Sequence, residues 1–203
     1  MTDMTDMMGV TGVTDVTNRT GMTDGTGMTD GTGVPDVTEV TGRTMTYWTS
    51  VDSPLGPLLL TADPAGALTS LSVPGQNGGR SVQDGWRHDP GPFRAAGEQL
   101  AAYFAGELKE FQLQLRAAGT EFRERVWDAL DSVPYGGTTT YGEIAARIGA
   151  PRAAVRAVGG AIGANPLLIL RPCHRVIGAD GSLTGYAGGL ERKTTLLTLE
   201  GVL

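Results

Sequence analysis

The sequence predicts a small α/β domain followed by a mainly helical domain built on a helix-turn-helix. Three observations lead there. Between Thr46 and Val73 short apolar runs alternate with turn residues, the rhythm of paired strands. From Phe93 the apolar spacing becomes helical. After Gly119 come two short helical patterns separated by Gly149-Ala150-Pro151, a tight glycine-containing turn. The expected boundaries are a disordered low-complexity tail over residues 1–44, the α/β domain over 45–115, and the helix-turn-helix domain over 116–203.

Residues 1–44 repeat Met-Thr-Asp, Thr-Gly and Val-Thr units, without aromatics and with few large aliphatics. Such a segment cannot bury enough apolar surface to offset its chain entropy, so disorder is expected. It lacks the basic start and apolar run of a secretory signal. Met45 opens a segment that looks like an ordinary domain start and is a candidate start of translation. No stretch approaches the roughly 18 continuous apolar residues of a membrane-spanning helix.

In the α/β part, Tyr47–Val51, Leu58–Thr61 and Leu68–Val73 read as strands, with turns at Gly56-Pro57 and Pro64-Ala65-Gly66. Pro74–Pro92 is rich in Gly, Pro, Asp and Asn and reads as an exposed connection that holds His88. Phe93–Leu108 places Leu100, Tyr103, Phe104 and Leu108 on one helical side. Nothing in this half points to chemistry, and a structural role is expected.

Further on, Thr120 can cap a helix with apolar positions Phe122, Val126, Ala129, Leu130 and Val133, ended by Pro134. Thr140-Tyr141-Gly142-Glu143 has capping-box spacing ahead of Ile144, Ala145 and Ile148. The third helix is expected from Arg152 to about Ile162, with Ala154, Val155, Val158, Ala161 and Ile162 inward. Arg152, Arg156, Gly159, Gly160 and Gly163 fall on the other side. Two explanations fit those glycines: a thinned basic face that a phosphate backbone approaches, or close packing against another helix.

The net charge of −6 argues against a nucleic-acid partner only until it is divided by region. The tail holds seven acidic and two basic residues, a net −5, whereas Tyr141–Val176 holds five arginines against Glu143, a net +4. Phosphate contacts depend on local charge. One cysteine excludes an internal disulfide and fits a reducing cytoplasm. With only His88 and His174 beside it, a structural zinc site is not expected.

That cysteine lies in Pro172-Cys173-His174-Arg175-Val176, after the run Leu167-Leu168-Ile169-Leu170, which reads as a buried strand. An unperturbed thiol, pKa about 8.5, is only about 3% thiolate at pH 7, and positive or hydrogen-bonding neighbours raise that fraction. A small buried hydrophobe is the alternative role.

The order Asn165-Pro166, Pro172–Gly178, Gly181–Leu190 and Leu199-Glu200-Gly201 resembles that of the methylated-DNA–protein-cysteine methyltransferases, the O6-alkylguanine repair proteins. The resemblance is strong from Gly119 to Gly201 and weaker back to Met45. It implies a winged helix-turn-helix-like C-terminal domain behind the small α/β domain. It also implies irreversible, stoichiometric transfer of an alkyl group from O6-alkylguanine in DNA to Cys173, with O4-alkylthymine as a further expected substrate. The partner implied is alkylated double-stranded DNA, bound by a cytoplasmic monomer that needs no cofactor. Some relatives carry zinc, and this chain lacks the residues for it.

Residue by residue, the resemblance makes Cys173 the acceptor, His174 its base and Glu200 the carboxylate that orients the imidazole. Tyr141 would rotate the target phosphate and donate to the guanine oxygen. Arg156 would fill the gap left by the flipped base, with Arg152 nearby on the same face. Asn165 would brace the pocket turn, and Tyr186 and Ala187 would wall the alkyl pocket. The carbonyls of Cys173 and Val176 would accept from the guanine amino group. Four residues lie between Pro151 and Arg156 where relatives generally have three, so the helix start must absorb one. Arg171 stands where an aliphatic residue is usual, free in principle to face solvent, a phosphate or the thiol. Glu121 and Arg123 also replace commoner residues on an expected surface.

Other classes stay open on sequence alone: a non-catalytic sensor of alkylated DNA, a transcription regulator using the helix-turn-helix, or a Cys–His hydrolase. The sensor form lacks the acceptor cysteine, which is present here, and a hydrolase would turn over on an ester.

Deleting residues 1–44 is expected to leave melting temperature and transfer rate nearly unchanged, because the segment is too polar to pack. A clear drop in melting temperature would make the tail part of the fold.

Overall fold

The computed structural model describes residues 45–203; the tail expected over residues 1–44 lies outside them. Strands β1 (Tyr47–Val51), β2 (Leu58–Ala62) and β3 (Leu68–Ser72) form an antiparallel meander. Leu58, Leu60 and Ala62 alternate onto its buried face. Thr61 is buried too, and its hydroxyl bonds those of Thr69 and Ser70 at 2.7 and 2.6 Å. A fourth strand, β4 (Arg87–His88), pairs parallel to β1 and gives the order β3-β2-β1-β4. It arises inside the segment expected to be only a connection. The His88 ring lies 4.7 Å from that of Trp48, which explains why this stretch settles on the sheet edge.

Helix α1 (Arg94–Phe104) buries Ala96, Leu100 and Tyr103 against the sheet layer's core. Helix α2 (Glu121–Asp131) starts at Thr120, whose hydroxyl accepts from Arg123 N, and carries Glu121 and Glu124 in the first turn, where acids suit the helix dipole. Strand β5 (Thr139–Thr140) leads into α3 (Tyr141–Arg147), and the capping box is present in both directions, Glu143 N to Thr140 Oγ1 at 3.2 Å and Thr140 N to Glu143 Oε2 at 2.9 Å. A 3₁₀ turn, Arg152–Ala154, precedes α4 (Val155–Gly163). Strand β6 (Val176–Ile177) pairs parallel with β5, and α5 (Leu190–Leu199) closes the chain.

The run Leu167–Leu170 is buried, as expected, but it is not a strand. Leu71 N donates to Pro166 O at 2.8 Å and Leu168 N to Leu71 O at 3.2 Å, extending the end of β3 by one rung. The chain then turns, with Arg171 N on Leu167 O at 2.9 Å and Ile169 at φ 70°. A short apolar run has no periodicity that separates a strand from such a buried turn.

The two halves share one apolar core, from Leu58, Leu71 and Phe93 through Trp127 and Leu130 to Val176 and Leu196. Leu167 bridges to Leu71 across the junction, while Leu115 bridges to Leu68 within the α/β half. Among the helices, Trp127 Nε1 donates to Ala161 O at 2.8 Å and ties α2 to α4. No helix of the described residues is long and apolar enough to cross a membrane.

Candidate active site

The β5–β6 pairing decides the geometry. It sets the residue after β5, Tyr141, near the 3₁₀ turn before β6, Cys173–Arg175. Cys173 and Tyr141 line one cavity of about 290 Å³ with Asn77, Gly159, Ile162 and Tyr186. Ala187 also lines it. Cys173 is only 3% exposed, and its Sγ accepts from Asn165 Nδ2 at 3.2 Å. The same Asn165 nitrogen reaches Arg171 O at 3.1 Å, while its Oδ1 accepts from Leu167 N at 3.0 Å. Asn165 therefore ties the buried turn to the sulfur.

Burial pushes the thiol up to about 11, against the Asn165 hydrogen bond and the Lys193 charge, which favour the thiolate. The resting sulfur keeps its proton, contrary to the ready thiolate that neighbours His174 and Arg175 suggest in the sequence. Burial is the main reason, and neither neighbour's charge is among those that offset it. Burial holds the fully enclosed His174 below its usual range, so the imidazole is neutral. Its Nε2 lies 2.9 Å from Glu200 Oε1, which makes Nε2 the protonated nitrogen and Nδ1 the free base. Nδ1 has no hydrogen-bond partner among the described residues.

Glu200 is 5% exposed, at the C-terminal cap of α5. Burial alone would raise its carboxyl, but hydrogen bonds from His174 and Arg175 outweigh that and hold it at about 2. Arg175 Nε donates to Oε2 at 2.8 Å and Nη2 to Oε1 at 2.9 Å, a two-pronged pairing. Tyr103 Oη donates to Oε1 at 2.7 Å, and Gly136 N to Oε2 at 3.3 Å.

Lys193 is fully buried, and its Nζ donates to the carbonyls of Val176 at 2.5 Å and Thr184 at 2.7 Å. Burial lowers it to about 8, while the nearby Cys173 sulfur pulls the other way. It pins the 184–185 loop to the active-site strand. Tyr141 Oη donates to Thr184 O at 3.1 Å across the cavity. Burial raises its phenol, so it keeps the proton it would have to give. A Cβ on Gly185, at φ 52°, would stand 2.9 Å from that hydroxyl, so this approach needs glycine.

Tyr186 also lines the cavity, its hydroxyl buried without a partner and its ring edge-on to His174 at 6.5 Å. Val176 is fully buried and does not line the cavity; its carbonyl is taken by Lys193. Arg152 and Arg156 are exposed on the 3₁₀ turn and α4. A Cβ on Gly160 or Gly163 would meet open space, and one on Gly159 would touch only the Tyr141 ring at 3.7 Å. Gly160 and Gly163 thus thin an open face, while Gly159 packs against Tyr141 of α3 at the cavity wall.

The regional charge of +4 shrinks on that face. Arg175 is committed to Glu200. Arg171 lies 5.8 Å over the Trp127 ring, with Asp128 and Asp131 at 3.5 and 3.6 Å. Its charge goes to those two carboxylates on α2, not to a phosphate or the thiol. Among the described residues no cluster of three or more His, Cys, Asp or Glu could hold a metal ion.

Family models for 6-O-methylguanine DNA methyltransferase match twice: its ribonuclease-like domain over residues 46–117 and its DNA binding domain over residues 121–202. The chain belongs to the 6-O-methylguanine DNA methyltransferase family. Methylated-DNA–protein-cysteine methyltransferases similar to it include that of Mycolicibacterium paratuberculosis, 56% identical over 77% of this chain and 93% of its own. That of Methanosarcina acetivorans is 52% identical over 76% and 98%. A crystal structure of Mycobacterium tuberculosis OGT in complex with DNA superposes with a TM-score of 0.70 at 53% identity, covering 76% of this chain and 92% of that one.

Four residues of this family member escaped sequence reasoning. Arg175 lies inside the motif, where it reads as a charge beside the thiol or on a phosphate-binding face, with no sign of its partner Glu200. Tyr103 reads as one apolar position of a helix and Asn77 as part of an exposed connection, and nothing in the sequence gives Lys193 a role. Asn77 reaches the cavity because its N–H bonds Ala187 O at 3.0 Å. Only the burial of an ionisable side chain would have marked Arg175 and Lys193, and that is a tertiary property.

The Glu200 cluster sets an acid sensitivity. With the folded carboxyl at about 2 and the ordinary value at 4.5, the unfolded chain binds this proton first, so stability falls as pH drops through that window. His174, lowered from 6.5, adds a loss of the same sign that begins below 6.5. In urea denaturation at a series of pH values, Glu200→Gln is expected to be less stable at neutral pH and to lose the lower part of this dependence. A slope parallel to the parent's through that lower window would assign the acid sensitivity to other carboxylates.

Proposed function

We propose that this chain repairs alkylated DNA by moving the alkyl group of O6-alkylguanine onto Cys173 Sγ, once per molecule. The observation that carries this is the sulfur itself: the chain's single cysteine, in a cavity, beside a neutral imidazole with a free Nδ1 held by a carboxylate. His174 Nδ1 takes the thiol proton as substrate enters, and Glu200 stabilises the imidazolium that results. The sulfur pair then forms an S–C bond while the C–O bond breaks toward the guanine oxygen. Tyr141 donates a proton as negative charge grows on the base, and the proton held by His174 restores the phenol. Net, the thiol proton ends on guanine and the alkyl group on sulfur. Water does not cleave the thioether, so no turnover follows, and no cofactor is needed.

A base inside a duplex stack cannot reach a cavity of this kind, so the substrate nucleotide must leave the stack. We assign double-stranded DNA as the partner, bound by a monomer through the thinned face of α4. Arg156 occupies the vacated place and Arg152 pairs with phosphate, while Asn165, Tyr186 and Ala187 shape the pocket. O4-alkylthymine is a further substrate on the same chemistry.

Incubation with methylated duplex DNA is expected to raise the intact mass by one methyl group, mapped to the Cys173 peptide. Cys173→Ser is expected to bind DNA and remove no methyl, because a hydroxyl is far less ionised and less nucleophilic. If that variant still clears O6-methylguanine, the acceptor is elsewhere.

Arg156→Ala is expected to slow repair in duplex DNA more than transfer from free O6-methylguanine, by a few kcal/mol at most, roughly the cost of extrusion. Equal losses on both substrates would give Arg156 a role in the fold or the chemistry instead.

A further inference from the structure

We propose that Tyr103, on α1 of the α/β half, is a positioning residue for alkyl transfer, acting through Glu200 on His174. This rests on the function proposed above and adds to it a residue from the half that otherwise shows no chemistry. Tyr103 is fully buried, and its hydroxyl donates to Glu200 Oε1 at 2.7 Å, across 97 positions of sequence. That oxygen is the one that holds His174 Nε2 at 2.9 Å. The phenol therefore fixes the atom that fixes the imidazole.

A core aromatic alone would not need the hydroxyl. The ring packs edge-on to Phe104 and Tyr135 at 5.4 and 6.1 Å and tilted against Phe111 at 5.2 Å, contacts that phenylalanine would keep. What phenylalanine loses is one donor to a buried carboxylate. The charged and titratable groups around that carboxylate come from every neighbouring element. His174 and Arg175 face it from the 3₁₀ turn, and Tyr103 from α1. Lys193 on α5 acts on His174, and Tyr135 lies under Arg175 with Lys109 on its ring. Without the Tyr103 hydroxyl, more negative charge stays on Oε1 and stabilises the imidazolium. His174 then holds a proton at higher pH and is less often free to take one from Cys173.

Tyr103→Phe tests this in the full chain, with Leu100→Ala as a control that weakens the same helix without touching Glu200. Two measurements are made: methyl transfer from methylated duplex DNA across pH, and the titration of the His174 ring by NMR, simplified by there being only two histidines. For Tyr103→Phe, the His174 titration and the acid limb of the transfer rate are expected to move up by roughly half a pH unit, about threefold in rate on that limb. Leu100→Ala is expected to lower the melting temperature and leave both profiles in place. Superposable His174 titrations in Tyr103→Phe and the parent would overturn the proposal, as would an identical shift in Leu100→Ala. A parent that transfers no methyl sinks the functional reading and the transfer role with it, while the His174 titration still decides the contact.

Discussion

A buried carboxylate organises this molecule. Taking a charge out of water costs several kcal/mol unless partners replace the solvent. Glu200 collects them from three places: Tyr103 on α1, Gly136 in the turn after α2, and His174 with Arg175 beside the cysteine. Each partner must arrive for the others to be tolerable, because an unpaired Arg175 in that interior would cost roughly 3–5 kcal/mol. The carboxylate is thus a keystone of the fold as well as an arm of the proposed relay. Arg175 Nη1 extends the network to Val133 O at 2.6 Å, at the end of α2.

The sulfur sits in an opposed field. Enclosure favours the neutral thiol; the Asn165 amide and the Lys193 ammonium favour the anion. The result is a nucleophile that stays protonated until a base is poised to take its proton. Lys193 is itself lowered to about 8 by the same enclosure, near enough to neutral pH for a small change in surroundings to move its proton, whereas the thiol at about 11 holds its own. A site of this kind resists stray oxidation or alkylation in proportion to its burial, since the thiolate is the reactive form.

The parts legible in sequence are those written locally. The capping box at Thr140 and Glu143, the cap at Thr120 and the strand runs of the meander all derive from neighbours within a few positions. Cys173, His174, Glu200, Tyr141, Asn165, Tyr186 and Ala187 are legible by their order in a motif; the structure places Cys173, Tyr141, Tyr186 and Ala187 around one cavity, Asn165 on the sulfur, and His174 against Glu200. What the sequence hid depends on three-dimensional meeting. Leu167–Leu170 looks like a strand because burial erases periodicity, yet Ile169 turns the chain. Arg171 and Arg175 look like a phosphate footprint because sequence charge carries no direction, yet both point at carboxylates. Tyr103 looks like core because nothing local names its partner.

Helix α4 depends on its surroundings because one of its faces is open glycine. Gly159, Gly160 and Gly163 give it poor intrinsic helicity, each up to about 1 kcal/mol worse than alanine. The helix is therefore upheld from behind, by Val158, Ala161 and Ile162 in the core and by the Trp127 indole on the Ala161 carbonyl. A borrowed rigidity of this sort blurs genetics. A substitution at Trp127 would fray the face through which we propose DNA is held and be scored as a failure to hold DNA, although every residue on that face remained intact.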